Sequence, residues 1–257
     1  FGGVQAQEYG PARWALGLRL PPDVRDADVA GAFDAGRLLR THVLRPTWHF
    51  VTPADLRWML ALTGPQVRRA LASYDQRLEL DAAVLRRARR VVTRALTREP
   101  FLTRLELAAA LSADGIVASG ARLAHLVMHL EIDALLCSGP RRGKQFTYAL
   151  VDARVPPAPA PPDDEARIEL VRRFFRSHGP ATPRDFAWWS GLRMTDARRL
   201  LEHLRAPSLE VDGLRYWWID HDLPAASASA AAGAWLLPVY DEYTVAYRDR
   251  LAVPHGP

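Results

Sequence analysis

The stretch that most limits the fold is Val155 to Glu165, VPPAPAPPDDE. Proline removes backbone donors and fixes φ, so no continuous helix runs through it and an extended connector is expected. Before it, Thr103 to Leu111 (TRLELAAAL) reads as a short helix, Ser119 to Leu136 as a second, and Leu136 to Leu150 (LCSGPRRGKQFTYAL) as a hairpin with a Gly/Pro/Arg tip. After it, Asp164 to Ser177, Thr182 to Ser190 and Thr195 to Leu204 read as helices. Leu209 to Ile219 (LEVDGLRYWWI) follows as a hairpin turning at Asp212-Gly213. Helix, helix, hairpin recurs on both sides of the connector.

The order occurs a third time near the start. Asp26 to Arg37 (DADVAGAFDAGR) has helical character, and Leu38 to Val51 (LLRTHVLRPTWHFV) reads as a hairpin with Arg45-Pro46 at its turn. TPADLRWMLAL then opens a helix with Thr52 as N-cap and Asp55 in the capping-box position. Helix, helix, hairpin is the order of a winged helix, in which a recognition helix enters a groove and the hairpin touches the backbone beside it. The expected fold is mainly α with β-hairpin wings, as three tandem winged-helix domains. The alternative is a generic helical protein with occasional hairpins.

A chain of 257 residues suits several compact units, each with its own core. The net charge is +5, and Lys144 is the only lysine among the cations. Arginine suits planar, bidentate phosphate and base contacts; a GC-rich coding bias produces the same excess. The single cysteine, Cys137, excludes an internal disulfide, and no apolar run reaches the length of a bilayer span. A cytoplasmic, nucleoid-associated monomer is expected, with no heptad segment for dimerisation. Phe1 in place of an initiator methionine and the ending HGP lead to the expectation of a fragment with flanks beyond it.

Asp81 to Arg98, DAAVLRRARRVVTRALTR, places apolar residues at helical spacing on one side and Arg86, Arg90, Arg94 and Arg98 four apart on another. Such a rail suits a phosphate backbone, though a charge run also serves as a solvated face. His125 and His129 stand four apart, but HLVMH lacks the glutamate of a zinc peptidase, so no metal site or cofactor is expected. Trp188-Trp189 and Trp217-Trp218 read as core plugs of the third unit.

The opening FGGVQAQEYG sets Gln5 and Gln7 around one small residue. At this spacing they share a face only if the backbone is extended or turn-like, which Gly2, Gly3 and Gly10 favour. An amide cannot ionise to act as a base; it can orient a water and stabilise charge through hydrogen bonds.

GGVQAQ, followed by RTHVLRPTWHFVTPADLRWML and near the end by LPVYDEYTVAYRDR, resembles the winged-helix DNA glycosylases of the AlkZ/AlkX type over nearly the whole chain. The resemblance implies three tandem winged helices and a small C-terminal β-barrel, of which only the start, from the YDEY segment Tyr240 to Tyr243, would be present. Its units would run 1–80, 81–154, 155–233 and 234–257. It implies double-stranded DNA containing alkylated purines as partner, hydrolysis of the N-glycosidic bond of N7-substituted purines, and in some members the unhooking of interstrand crosslinks.

Gln5 and Gln7 match the family's catalytic glutamine motif, and their amide oxygens are expected to hold water and stabilise an oxocarbenium-like sugar. Glu8 adjoins them as an added charge or a helix-start glutamate. In the first hairpin, alternation places Arg40 and His42 toward one face and Arg45, Thr47 and His49 near the tip and return strand. All five are expected to face DNA, with Trp48 alternating against them. The rival class is a non-catalytic transcriptional regulator.

Overall fold

The computed structural model describes residues 1–159, 161–220 and 234–249. The chain begins with β1 (Val4–Gln5), α1 (Tyr9–Gly17), α2 (Asp26–Asp34), β2 (Leu39–His42) and β3 (Trp48–Val51), and the three strands form an antiparallel sheet in the order β1-β3-β2. The 25-residue α3 (Pro53–Arg77) follows directly. Next come α4 (Ala82–Arg98), β4 (Leu102–Thr103), α5 (Arg104–Ala113), α6 (Gly120–Ile132), β5 (Leu136–Ser138) and β6 (Thr147–Leu150), with sheet order β4-β6-β5, then the short α7 (Val151–Arg154). Past the Pro/Ala connector lie α8 (Asp163–Ser177), α9 (Pro183–Ser190), α10 (Met194–His203), β7 (Ser208–Val211), β8 (Leu214–Trp217) and α11 (Glu242–Val245).

The recurring order includes a strand that sequence pattern did not reveal. β1 pairs with β3, β4 pairs with β6, and Ala181, just before α9, makes an isolated bridge to Trp217 of β8. Each repeat therefore reads short extended segment, helix, helix, hairpin, with the first segment closing on the hairpin's return strand. In the first repeat that segment carries Gln5.

Local chemistry accounts for the element ends. Asp81 accepts from the Val84 N–H at 2.8 Å to start α4. Thr103 with Glu106, and Thr182 with Asp185, form reciprocal capping boxes for α5 and α9. Asp212 (φ 51°) and Gly213 (φ 75°) both take the left-handed conformation of a two-residue hairpin turn. The box expected at Thr52 is not formed. The Thr52 hydroxyl donates to Asp55 at 2.6 Å, and the other Asp55 oxygen accepts from Trp58 Nε1 at 3.1 Å and Arg173 Nη1 at 2.7 Å. Asp55 thus ties α3 to α8 instead of capping its own helix.

The cores cross the repeat boundaries. One cluster joins Leu39, Leu44, Val51 and Leu56 of the first repeat to Phe174, Phe186, Trp189 and Trp217 of the third. A second fills the α4–α6 repeat around Leu107, Leu111 and Leu126. Val67 and Leu71 of α3 pack on Met128 and Ile132 of α6. A Cβ on Gly191 would lie 2.9 Å from the Leu44 carbonyl oxygen, so the α9–α10 turn sits directly on the tip of the first hairpin.

Residues 234–249 contain α11 and no strand, so the expected start of a barrel is absent there; 250–257 lie outside the described residues. The segment is strapped over α1 by a two-bond Arg19–Asp241 pair at 2.6 and 2.9 Å and by Trp14 Nε1 donating to the Leu236 carbonyl at 2.8 Å.

Candidate active site

Gln5 lies in β1 opposite His49, and the Ala6 N–H continues the ladder to the Trp48 carbonyl at 2.7 Å. The extended backbone a joint role requires is therefore present. Gln5 is buried and Gln7 half-buried. Close packing forces this course: a Cβ on Gly2 would meet Trp189 at 3.3 Å and one on Gly3 would meet Leu44 at 3.3 Å.

Both amides are oriented by groups that can only donate. Arg45 Nη2 donates to Gln5 Oε1 at 3.0 Å, and the Trp48 N–H donates to Gln7 Oε1 at 3.4 Å. The oxygens are thus fixed toward the hairpin and the Nε2 groups turn away from it. This refines the expected chemistry. Each oxygen is already engaged once and keeps one lone pair, while no donor of either Nε2 has a partner among the described residues.

The first hairpin directs its polar side chains inward. Arg40 is 8% exposed; its Nε donates to the Ala6 carbonyl at 2.8 Å and its Nη2 to the Gln7 carbonyl at 3.1 Å. The guanidinium is held between Trp48 and Phe146, 4.1 and 4.7 Å from the ring centres. His42 is 2% exposed, bonded through Nδ1 to Glu131 of α6 and packed on Trp48 at 4.4 Å between ring centres. The expectation that Arg40 and His42 face DNA is corrected: Arg40 shapes the glutamine loop and His42 joins two repeats. Trp48 shares their face, because β2 pairs Arg40 with Phe50 and His42 with Trp48.

The opposite face carries Gln5, His49 and Thr41 in one cross-strand row. His49 is fully buried, and burial, reinforced by the Arg45 charge, pushes its imidazole down to about 3. It is neutral at pH 7. Its Nδ1–H donates to the Thr47 carbonyl at 2.9 Å, which leaves Nε2 a bare acceptor with no partner among the described residues. The burial of His49 corrects its expected contact with DNA. Thr47 and Arg45 are half-buried at the tip, and the Thr47 hydroxyl also has no partner among the described residues.

Sequence reading missed Glu242. It reaches back 237 positions to accept the Gln5 N–H through Oε1 at 2.7 Å. Its Oε2 accepts from Trp189 Nε1 at 3.0 Å and lies 3.3 Å from His178 Nε2. Burial alone would raise this carboxyl, but the His178 hydrogen bond and charge and the Gln5 N–H hold it below the usual carboxylate range. YDEY stood out in the sequence, yet no local pattern could pair its glutamate with a residue at the other end of the chain.

The other candidates lie apart. Arg86, Arg90 and Arg94 are exposed on α4, which packs chiefly against α5, α6 and β6. Arg94 pairs with Asp114 at 3.4 Å; Arg86 and Arg90 have no partner among the described residues. His125 and His129 both face Asp75 of α3, at 3.3 and 2.9 Å. Trp189 is a core plug, whereas Trp188 is 44% exposed. Glu8 precedes α1, caps nothing with its side chain, and lines a narrow crevice with Gln5, Pro11, Ala12, Pro238 and Tyr240. No helix among the described residues is long and apolar enough to cross a membrane.

Repeated helix pairs with small hairpins, gathered around two oriented amides, define a mainly helical class of proteins with a polar site between repeats. A family model described as DNA glycosylase AlkZ-like matches residues 1–254, and the chain belongs to that family. Among solved structures, the Streptomyces sahachiroi DNA glycosylase AlkZ is similar in fold, with a TM-score of 0.72 and 23% identity over 95% of this chain and 69% of that one. No curated protein matches the chain in sequence.

Proposed function

We propose that the chain hydrolyses the N-glycosidic bond of N7-alkylated purines in duplex DNA, as a monofunctional glycosylase acting as a monomer, with Gln5 and Gln7 as its catalytic residues. The observation that carries this reading is the pair of amides presented from β1 and the bend that follows it, each turned in a fixed sense by Arg45 or Trp48. The helix pairs and hairpins are read as three tandem winged helices spanning 1–80, 81–154 and 155–233, followed by a segment from 234. Arg86, Arg90 and Arg94 are read as phosphate contacts on the flanking duplex.

The chemistry suits neutral catalysts. N7-alkylation places a positive charge on the purine, so when the C1′–N9 bond breaks its electrons neutralise that charge and the base leaves uncharged. No acid is needed. Water adds to C1′ of the oxocarbenium-like sugar and its proton passes to solvent. Gln5 and Gln7 hold that water, through the remaining lone pair on each oxygen and the free Nε2 donors, and cost no reorganisation during the reaction. A site shared between repeats also suits bulky adducts and the unhooking of crosslinks, which supports a role in DNA repair or in self-resistance to an alkylating antibiotic.

The test is release of N7-methylguanine from methylated duplex, read as strand breaks after alkali. Wild-type protein should give breaks. The Gln5→Ala, Gln7→Ala pair should lower the rate by at least ~100-fold with duplex affinity within a few-fold. Breaks at the wild-type rate in the pair, or none with the wild type, would reject the proposal.

A further inference from the structure

We propose that Glu242 and Arg45 together form a brace that positions Gln5, Glu242 holding its backbone and Arg45 its side chain. The inference rests on the reading of Gln5 as catalytic and adds two positioning residues to it. Gln5 is held at both ends: its N–H by Glu242 at 2.7 Å and its side-chain oxygen by Arg45 at 3.0 Å.

The two holders act on different ends of the residue. Arg45 is half-buried at the hairpin tip, where its guanidinium bonds the Gln5 side chain and lies 5.9 Å from the Trp188 ring centre. Glu242 is 1% exposed; Trp189 and His178 fix its second oxygen while its first holds the Gln5 N–H. Without Glu242, the backbone at Gln5 loses a charged acceptor. Without Arg45, the Gln5 amide is free to turn over and exchange its oxygen and nitrogen faces. Glu242 also comes from the segment strapped over α1 by Arg19–Asp241, so that segment becomes a working wall of the site.

The test uses Glu242→Gln and Arg45→Gln, singly and together. Glu242→Gln keeps a carbonyl oxygen for the Gln5 N–H, removes the charge and replaces the oxygen that accepts from Trp189 with an NH2 group. Single-turnover release of N7-methylguanine is measured at saturating protein, with the Kd for undamaged duplex measured separately and folding followed by circular dichroism. Each single change should slow release by ~10- to 100-fold with Kd within threefold. The double variant should be slower than either single variant, because the two groups hold different ends of Gln5. Either single variant at the wild-type rate would overturn the brace.

A second readout is independent of activity. Exchange of the Gln5 peptide N–H should speed by ~10-fold or more in Glu242→Gln, because a neutral amide replaces a charged acceptor. Unchanged exchange counts against the brace whatever the activity. Faster exchange in a protein whose wild type releases no base leaves the brace standing and removes the catalytic reading. If Glu242→Gln does not fold, Arg45→Gln decides: slower release at unchanged Kd supports the brace, and an unchanged rate rejects it.

Discussion

The first and third hairpins share a place in the repeat and little else. β2–β3 lies inside the molecule: Arg40, Thr41, His42 and His49 are all buried, and the side-chain hydrogen bonds of Arg40, His42 and His49 run to the glutamine loop, to α6 and along the hairpin itself. β7–β8 stands out from the third repeat, with Val211 46% and Leu214 42% exposed beside the Asp212-Gly213 turn. The polar hairpin is the buried one and the hairpin with an apolar tip is exposed. Polarity in the first hairpin therefore holds a site together, whereas the third hairpin is turned to solvent.

The contrast is most exposed to disproof at the His42–Glu131 contact, which fastens the first hairpin to α6. Truncation there leaves a buried polar group without a partner, so Glu131→Ala should cost ~3–5 kcal/mol in urea unfolding. A cost below ~1 kcal/mol would mean the hairpin is not anchored as described. His49 sharpens the comparison through pH. Its folded pKa of about 3 lies below the unfolded value near 6.5, so its contribution is complete above pH 6.5 and is lost as pH falls toward 3. Between pH 7 and 5 this amounts to ~2 kcal/mol, before Glu242, also depressed, adds its own loss below its ordinary range. His49→Gln should flatten that part of the stability profile; an unaltered slope would place His49 in solvent. The smallest effect is expected at the third hairpin. Leu214→Ser should change stability by less than ~0.5 kcal/mol while weakening duplex binding, and the reverse pattern would erase the contrast.

Much of this order was legible in the sequence because its signals are local. The Asp212-Gly213 turn, the helix starts at Thr103 and Thr182 and the spacing of apolar residues in α4 each act within a few residues. The pairing of β1 with β3 was not legible, since two residues are too few to show a period. Arg40 and His42 misled for a physical reason. Their alternation is genuine, but both faces of the sheet are covered, one by Trp48 and Phe146 and the other by the third repeat, so alternation did not separate inside from outside. Glu242 was out of reach because its partners, Gln5, His178 and Trp189, are set by tertiary packing. The pair Gln5 and Gln7 was readable as a motif, while the direction of each amide came only from its donors.

Arg45 offers the most direct test of an inward-acting hairpin, since its charge and position near the tip suit a phosphate equally well. Base release from N7-methylated duplex and the salt dependence of duplex binding should be measured together for wild type and Arg45→Ala. The account predicts release slowed by at least ~10-fold at saturation with an unchanged slope of log Kd against log salt. A slope reduced by about one, with release at saturation unaltered, would make Arg45 a phosphate contact and contradict it.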